Sequence, residues 1–600
     1  MRNNPVYIQV ILPLKLEWEP YYYVEDGLPI SVGERVEVRM AGRRYSGVVS
    51  AVDVTPDPAI KKILPAQRSA LPAISREEIL FWQKMAQYYL CTVGELYKAA
   101  YPQQKQESEE VAVRVQERLE NRLAALQQKE QKARKDSTRQ QYRTQIERIQ
   151  ALLAGKESLP DARELTLSLE QEEAVQAMEV AFSQGKTVLL EADGQRRTLY
   201  LELARRILVS GKSVLYLVPE IGLSRQLEED VERVFPQVMP YHSGLTVAQR
   251  RGVSQAVRGS SASLVLGTRS ALFLPYSHLG LIVVDDEQDT SYKQDAPAPR
   301  YHARETAILL AQAHGAHVVL GGETPSLESL YNADIGLFTK VQLQEGPAPE
   351  TLLVNTAAEI RKKGVSGSFS LKLLTEMHRC LDTGEKVLLV CRSRASIPDC
   401  TAELEPIFGA RTRGITLCTP ATAKGQPSGA FALVAVLQAD FLLAREDFRC
   451  DERAMQVLSL FRSRCIPGGL LVVQTFEPAH PAFGLWNGDT VERLLQERRT
   501  FGFPPYTRLV QVVIRDSSKK RLSFMSQEFL RSLRPALPQD VSIVGPNAPS
   551  SGETDVLVLR ITLQRDKALK QHKQTISSTV NSFEKARKYV GHIHLDVDPV

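Results

Sequence analysis

Cysteine is scarce and scattered in this chain: seven in 600 residues, at 91, 380, 391, 400, 418, 450 and 465, with no C-x-x-C pair. An odd number spread in this way argues against a disulfide framework and points to free thiols in a reducing compartment. It also supplies no zinc ligand set. No apolar run reaches the roughly 18 residues of a membrane span. The stretch Val6 to Leu16 is interrupted by Gln9, Pro13 and Lys15, and no small-residue cleavage site follows it. A soluble cytoplasmic protein with no membrane partner is the expectation. A dominant charge sign is missing too: 75 Lys and Arg against 70 Asp and Glu leave +5, which excludes a histone-like polycation but leaves room for local basic grooves. An apolar fraction of 43% over this length excludes a disordered tail or a peptide hormone and allows roughly four cored domains.

What is present changes period along the chain. Residues 1–55 read as short strands, Val6 to Leu12, Tyr21 to Val24, Arg35 to Met40 and Tyr45 to Val52, punctuated by Gly33 and Ala41-Gly42. From Ser75 the apolar positions Ile79, Trp82, Met85, Ala86 and Tyr89 take helical spacing, and Ser75 with Glu78 forms a capping box, so residues 65–102 form a small helical domain. Residues 103–160 open with a stretch to Ala154 that holds neither Gly nor Pro and is dense in Glu, Gln, Lys and Arg; it reads as a solvated pair of antiparallel helices. After Leu169, apolar strands alternate with amphipathic helices, the pattern of parallel sheets covered on both faces. Two such α/β units are expected, at 165–345 and 370–485, followed by an α+β domain at 490–600.

Ordered segments within the α/β units carry the chemistry. Leu217-Val218-Pro219-Glu220-Ile221-Gly222-Leu223-Ser224-Arg225-Gln226 follows a strand. Tyr241-His242-Ser243-Gly244-Leu245, Gly267-Thr268-Arg269-Ser270-Ala271-Leu272-Phe273-Leu274-Pro275 and Val284-Asp285-Asp286-Glu287-Gln288 come next, and then the segment from Asp289 through Tyr292-Lys293-Gln294 to Arg300-Tyr301-His302-Ala303-Arg304. In this order they resemble the helicase core of the PriA family, the primosomal protein N′ that restarts stalled replication forks. Glu19 to Val24 with Val32 to Val36 looks like the family's N-terminal module, which holds the 3′ end of a nascent DNA strand. Residues 78–102 look like its winged-helix domain. Ala423-Lys424-Gly425, Asp447-Phe448-Arg449 and Glu452-Arg453 are similar to its second helicase lobe. Glu497-Arg498-Arg499, Phe503-Pro504-Pro505-Tyr506 and Asp596-Val597-Asp598-Pro599 match its C-terminal domain. The resemblance implies a multidomain α/β protein with two RecA-like lobes, preceded by a small β module and a winged helix and followed by an α+β domain.

The departures from that family fall on its nucleotide motifs. Where the family carries G-x-x-x-x-G-K-T, whose backbone N–H groups cradle phosphates beside a Lys and a Mg²⁺-holding hydroxyl, this chain has Glu191-Ala192-Asp193-Gly194-Gln195-Arg196-Arg197-Thr198. The loop is about two residues short, and Arg197 stands for the Lys. A planar guanidinium does not replace an ammonium in a tight cradle. Gly194, Arg197 and Thr198 are the remaining candidates for nucleotide contact. Gly185-Lys186-Thr187 and Gly211-Lys212-Ser213 precede strands and read as turns. The acidic motif D-E-E-H becomes Asp285, Asp286, Glu287 and Gln288, which shortens the general base by one methylene, and near-attack geometry is sensitive on the ångström scale. The coupling motif G-S-A-T-P-S becomes Gly321-Gly322-Glu323-Thr324-Pro325-Ser326. The closing Q-x-x-G-R-x-G-R leaves Arg462 and Arg464 without its glycines. The family's eight zinc-binding cysteines are reduced to Cys400 between Arg394 and Ile415, so no zinc is expected.

Expected DNA contacts are Tyr21, Tyr22 and Tyr23, since base stacking on such rings is worth about 1–3 kcal/mol per base. To these are added Arg39, Arg43 and Arg44 at a turn, Pro219, Glu220, Gly267, Thr268 and Arg269, whose donors suit a phosphate, and Lys424. His302 reads as a structural hydrogen-bonding residue. The resemblance implies a replication restart protein that binds forked or single-stranded DNA. Single-stranded DNA-binding protein and primosome components are its expected partners, and ATP and Mg²⁺ binding, ATPase and helicase activity are expected to be weak or lost. An active 3′-to-5′ helicase with a divergent site and a protein-interaction scaffold without DNA binding are the alternatives.

Overall fold

The computed structural model describes residues 5–25, 29–60, 62–102, 165–192, 194, 196–220, 225–235, 238–259, 262–343, 349–444, 447–484, 486–549, 553–586 and 592–600, with scattered helical positions between 123 and 146. Most of the polar 103–160 segment and the sequence Ile221-Gly222-Leu223-Ser224 lie outside the described residues.

The N-terminal strands form as the alternation predicts, at Val6–Ile11, Tyr21–Val24, Arg35–Met40 and Arg43–Val52. The segment 64–68 pairs with Tyr21–Val24 through Leu64–Pro65 and with Arg35–Met40 through Gln67–Arg68, so the sheet closes on itself and both edges are covered. Ile8, Val10, Tyr22, Val24, Val36, Val38 and Val49 fill its interior. The intervening residues Tyr7, Tyr21, Tyr23 and Arg39 therefore face outward.

Two helices follow where a winged-helix domain is expected, Arg76–Tyr89 and Val93–Ala100. Each opens on a complete capping box, Ser75 with Glu78 and Thr92 with Glu95. Gly94 lets the second helix touch the chain just past the first strand: a Cβ there would sit 2.2 Å from the carbonyl oxygens of both Leu12 and Leu14. The two short strands of residues 64–68 belong to the N-terminal sheet.

The first lobe is a parallel sheet of seven strands in the order Phe338–Leu343, Thr187–Ala192, His317–Gly322, Leu279–Asp285, Ser213–Leu217, Leu264–Gly267, Met239–Tyr241. All seven residues of Leu279–Asp285 are buried, as a central strand covered on both faces requires. The second lobe is a parallel sheet of five, Glu350–Asn355, Cys465–Thr475, Phe431–Val436, Val387–Val390, Ile415–Cys418. These are the two RecA-like lobes of a multidomain α/β protein. Cys400 packs into the apolar core of the second lobe with Cys391 and Leu404.

The C-terminal domain sets four antiparallel strands, ordered Ser542–Asn547, Val556–Gln564, Thr507–Arg515, His592–Val597, against helices Lys519–Leu533 and Leu569–Ala586. It docks on the first lobe through Lys293, whose buried ammonium pairs with Asp596 at 2.7 Å and donates to the carbonyls of Val597 (2.8 Å) and Arg300 (3.1 Å). Beside it, Tyr88 of the first helix donates to Asp598 at 3.1 Å, and Arg508 pairs with the same carboxylate at 2.6 Å. Among the described residues no helix is long and apolar enough to cross a membrane.

Candidate nucleotide cleft and nucleic-acid face

The acidic motif lies at the carboxyl end of the central strand of the first lobe, where parallel sheets place their sites. Asp285 closes the strand. The hydroxyls of Tyr200 and Tyr216 each donate to its carboxylate at 3.4 Å, and Tyr292 donates to its carbonyl at 2.7 Å. The chain then turns through Asp286, which sits at φ +48°, in the left-handed region.

Between these carboxylates sits the guanidinium of Arg196: Nε is 2.7 Å from Asp285 Oδ1 and Nη2 is 2.7 Å from Asp286 Oδ1. Nη1 reaches back to the carbonyl of Ala192 at 3.4 Å. Burial pushes the Asp286 carboxyl above its ordinary range, with Asp285 adding to the push and Arg196 opposing it. The residue expected at the position of the family's Lys is corrected here. Arg197 points out of the site, 42% exposed, and pairs with Asp230 at 3.1 Å, because consecutive residues of the helix Arg196–Val209 diverge by about 100°. It is the preceding arginine that enters.

Residues 193–195 alone separate the strand Thr187–Ala192 from that helix. Gly194 is exposed, and a Cβ there would meet nothing within 4 Å, so the glycine serves no close approach within the chain. Thr198 lies half-buried in the first helical turn. A nucleotide with its Mg²⁺ does not fit this arrangement. The carboxylates that would hold the metal already hold a guanidinium.

Glu287, expected with Asp285 and Asp286 as a catalytic carboxylate, is fully buried and serves the turn opposite. It accepts from Ser326 N at 2.6 Å, Ser326 Oγ at 3.1 Å and Arg304 Nη1 at 2.9 Å. Three charge-assisted bonds fix it as a fastener between the acidic motif and the coupling turn. His302 caps the helix Ala303–His314 by accepting from Arg304 N at 3.2 Å.

The second lobe closes the cleft from the other side. Arg464 is 8% exposed and bonds Ser428 Oγ and the carbonyl of Lys424. Arg462 donates to Thr351 Oγ1 at 3.0 Å. Burial lowers the pKa of both guanidiniums, with Glu323 opposing the drop in each and Asp286 in Arg464. Lys424 forms an ion pair with Asp289 of the first lobe. Arg462 and Arg464 thus reach the cleft, and Lys424 spans it.

The expected DNA contacts divide into two groups. Arg269 donates to the carbonyls of Ser291 and, at 3.0 Å, Lys293, and its Nη2 lies 3.6 Å from Glu220. Thr268 and Pro219 are buried, and Gly267 permits a close pass, since a Cβ would lie 2.7 Å from the Tyr241 carbonyl. In this conformation that cluster holds the lobe together. The N-terminal module is different. Tyr22 points inward and donates to the Arg39 carbonyl at 3.2 Å, which makes it a core residue. Tyr21 and Tyr23 stand outward on one face, and Tyr7, its ring edge-on to Tyr23 at 6.4 Å, joins them. Arg39, Arg43 and Arg44 are exposed and pair with nothing among the described residues. Tyr7 and Arg196 were missed from sequence. Tyr7 had a signal, its alternation with Ile8 on the first strand; Arg196 had only its neighbour.

Residues 9–102 match the family described as 3′DNA-binding domain, and residues 499–600 match the Primosomal protein N C-terminal domain. The chain is 27% identical over 448 residues to the Replication restart protein PriA of Bacillus subtilis, covering 58% of this chain and 55% of that one. It is 37% identical over 236 residues to the protein of that name in Haemophilus influenzae, covering 39% and 32%. With the Treponema pallidum protein of the same name the identity is 27% over 530 residues, 72% of this chain and 80% of that one. The match thus spans about half the length of the Bacillus relative and a third of the Haemophilus relative. Among solved structures, the DUF1998 helicase MrfA aligns at a TM-score of 0.34 and 14% identity, over 59% of this chain and 54% of that one. Two PriA-specific domain matches at opposite ends of the chain, joined by two parallel lobes that carry the matching motifs, make it similar to the PriA family from end to end.

Proposed function

We propose that this protein binds forked DNA and supports primosome assembly at stalled replication forks, without coupling either step to ATP hydrolysis. The observation that carries the reading is Arg196, seated where a motor protein of this architecture would hold its metal. DNA recognition is assigned to the N-terminal module, with Tyr7, Tyr21 and Tyr23 offering ring faces to bases and Arg39, Arg43 and Arg44 neutralising phosphates. Single-stranded DNA-binding protein and primosome components are the partners that follow from this role.

Purified protein is expected to bind forked DNA with a steep salt dependence while showing no DNA-stimulated ATPase. Changing Arg39, Arg43 and Arg44 together to alanine should weaken binding alike on all sequences and lower the log–log salt slope by about 2–3, roughly 0.9 per lost phosphate contact. Fluorescence anisotropy across a salt series checks this. A slope unchanged in the triple variant would move the DNA site elsewhere, and robust hydrolysis lost in Asp285→Asn would restore the motor.

A further inference from the structure

The two lobes and the C-terminal domain meet around two acids, Glu328 and Glu452. Glu328, on the first-lobe helix Leu327–Asp334, accepts from Arg449 of the second lobe at 2.6 Å and from Arg498 at 3.3 Å. Arg498 belongs to the helix Gly488–Phe501, which leads into the C-terminal domain. Glu452, on the second-lobe helix Cys450–Arg462, accepts the main-chain N–H of Leu327 at 2.9 Å and pairs with Arg498. Glu452 and Arg498 are each 3% exposed. Burial pushes the Glu328 carboxyl up, but Arg449 and Arg498 outweigh it and hold the group at about 2. Phe448 stacks on Phe503 with ring centres 4.6 Å apart, and both guanidiniums lie over its ring, at 4.8 and 5.0 Å.

Two further crossings flank the cleft. Lys424 pairs with Asp289, and Ser459 Oγ donates to Glu323 at 3.2 Å. Every one of these contacts is made between groups of the chain itself.

A motor that works by opening and closing two lobes needs the closed state to depend on nucleotide. A ligand shifts such an equilibrium only by its differential affinity for the two states, and about 10⁴-fold is needed to move it from 1:99 to 99:1. Contacts that the chain makes with its own groups bias the equilibrium beforehand. Those around Glu328 and Glu452 are buried and spread over three domains, so opening would strand several charges at once.

We infer that the Glu328–Glu452 network is a latch that holds the two lobes closed without nucleotide, so that lobes and C-terminal domain form one rigid platform for the N-terminal DNA-binding module. The inference deepens the reading of a chain without a motor and rests on it.

The full-length chain, labelled with a fluorophore pair at exposed Gln176 in the first lobe and Thr375 in the second, tests it by single-molecule energy transfer. The expected result is one distance, unchanged by saturating Mg-ATP or a non-hydrolysable analogue, with or without forked DNA. The double variant Glu328→Gln/Glu452→Gln should add a second, longer distance in at least a tenth of molecules. Lys424→Met, which cuts the more exposed crossing, should do so to a smaller extent. Two distances in the wild type, a shift on adding Mg-ATP, or an unaltered single distance in all variants would overturn the latch. Hydrolysis measured on the same sample separates the two readings. Turnover at a fixed distance would sink the proposed function and leave the latch, whereas a moving distance without turnover would do the reverse.

Discussion

Arg196→Ala is expected to create a divalent-cation site and to destabilise the first lobe in a pH-dependent way. The guanidinium is the cation in contact with Asp285 and Asp286, and its removal leaves two adjacent carboxylates facing each other at the end of a buried strand. Breaking a buried pair by removing one partner costs about 3–5 kcal/mol. The lower end applies here, because the Asp286 side chain is 32% exposed and partly screened. Asp286 in the folded chain already titrates above its ordinary 3.8, chiefly through burial. A carboxyl raised in this way stabilises the fold fully at acid pH and loses that contribution as pH climbs through the folded value. Without Arg196 the rise is larger, so the variant's deficit should be smallest below about pH 4 and grow towards neutrality. Thermal unfolding of both proteins across pH 4 to 8 measures this. Mn²⁺ titration followed by electron paramagnetic resonance gives the second readout: no binding in wild type, and binding to the two carboxylates in the variant. Arg196→Lys should stay silent, as an ammonium still occupies the position. Mn²⁺ bound by wild type at the same affinity as the variant would show that the guanidinium does not fill the site.

That arginine also marks where sequence reasoning reached its end. The shortened loop, the missing Lys and the acidic Asp285-Asp286 pair are all legible in the chain. Which of two neighbouring arginines turns inward is decided by where the helix begins, and Arg196 is its first residue. Local patterns performed well when the physics was local. Both a capping box four residues long and the inward Tyr22 between outward Tyr21 and Tyr23 follow from spacing alone. Of the strands in the two parallel sheets, Met239–Tyr241, Phe338–Leu343 and Glu350–Asn355 escaped notice, and all three lie at sheet edges. An edge strand lacks the continuous apolar run that marks a buried one. Glu287 looked catalytic because its partners, Arg304 and Ser326, stand 17 and 39 positions away and only the fold brings them to it. The Glu328 network was out of reach for the same reason, since Arg449 and Arg498 are 121 and 170 positions from it.

Lys293→Met is expected to release the C-terminal domain from the first lobe. The Lys293 side chain is 3% exposed and the Asp596 carboxylate facing it 11%, so the pair is cut off from water on both sides. Methionine matches the length and volume of the lysine stem but supplies no charge and no donors. The Asp596 carboxyl, which burial already raises and Lys293 pulls back down, would lose its counter-ion, and the carbonyls of Val597 and Arg300 would lose their donor. A stranded buried charge costs about 3–5 kcal/mol, and each unsatisfied carbonyl about 1–3 kcal/mol more. Few inter-domain contacts withstand a loss of that size. Hydrogen exchange should show it directly as faster exchange across the strand His592–Val597 and the segment 294–301, with the core strand Leu279–Asp285 unaffected. The double variant Lys293→Met/Asp596→Asn separates lost charge balance from lost packing: a pair removed together costs far less than one partner alone, so protection of His592–Val597 should largely return. Because Asp596 titrates above its ordinary value, the exchange difference between Lys293→Met and wild type should shrink as pH falls and the carboxyl takes up a proton. Exchange in Lys293→Met that matches wild type at neutral pH would mean that the domain is held by the Arg508–Asp598–Tyr88 cluster alone.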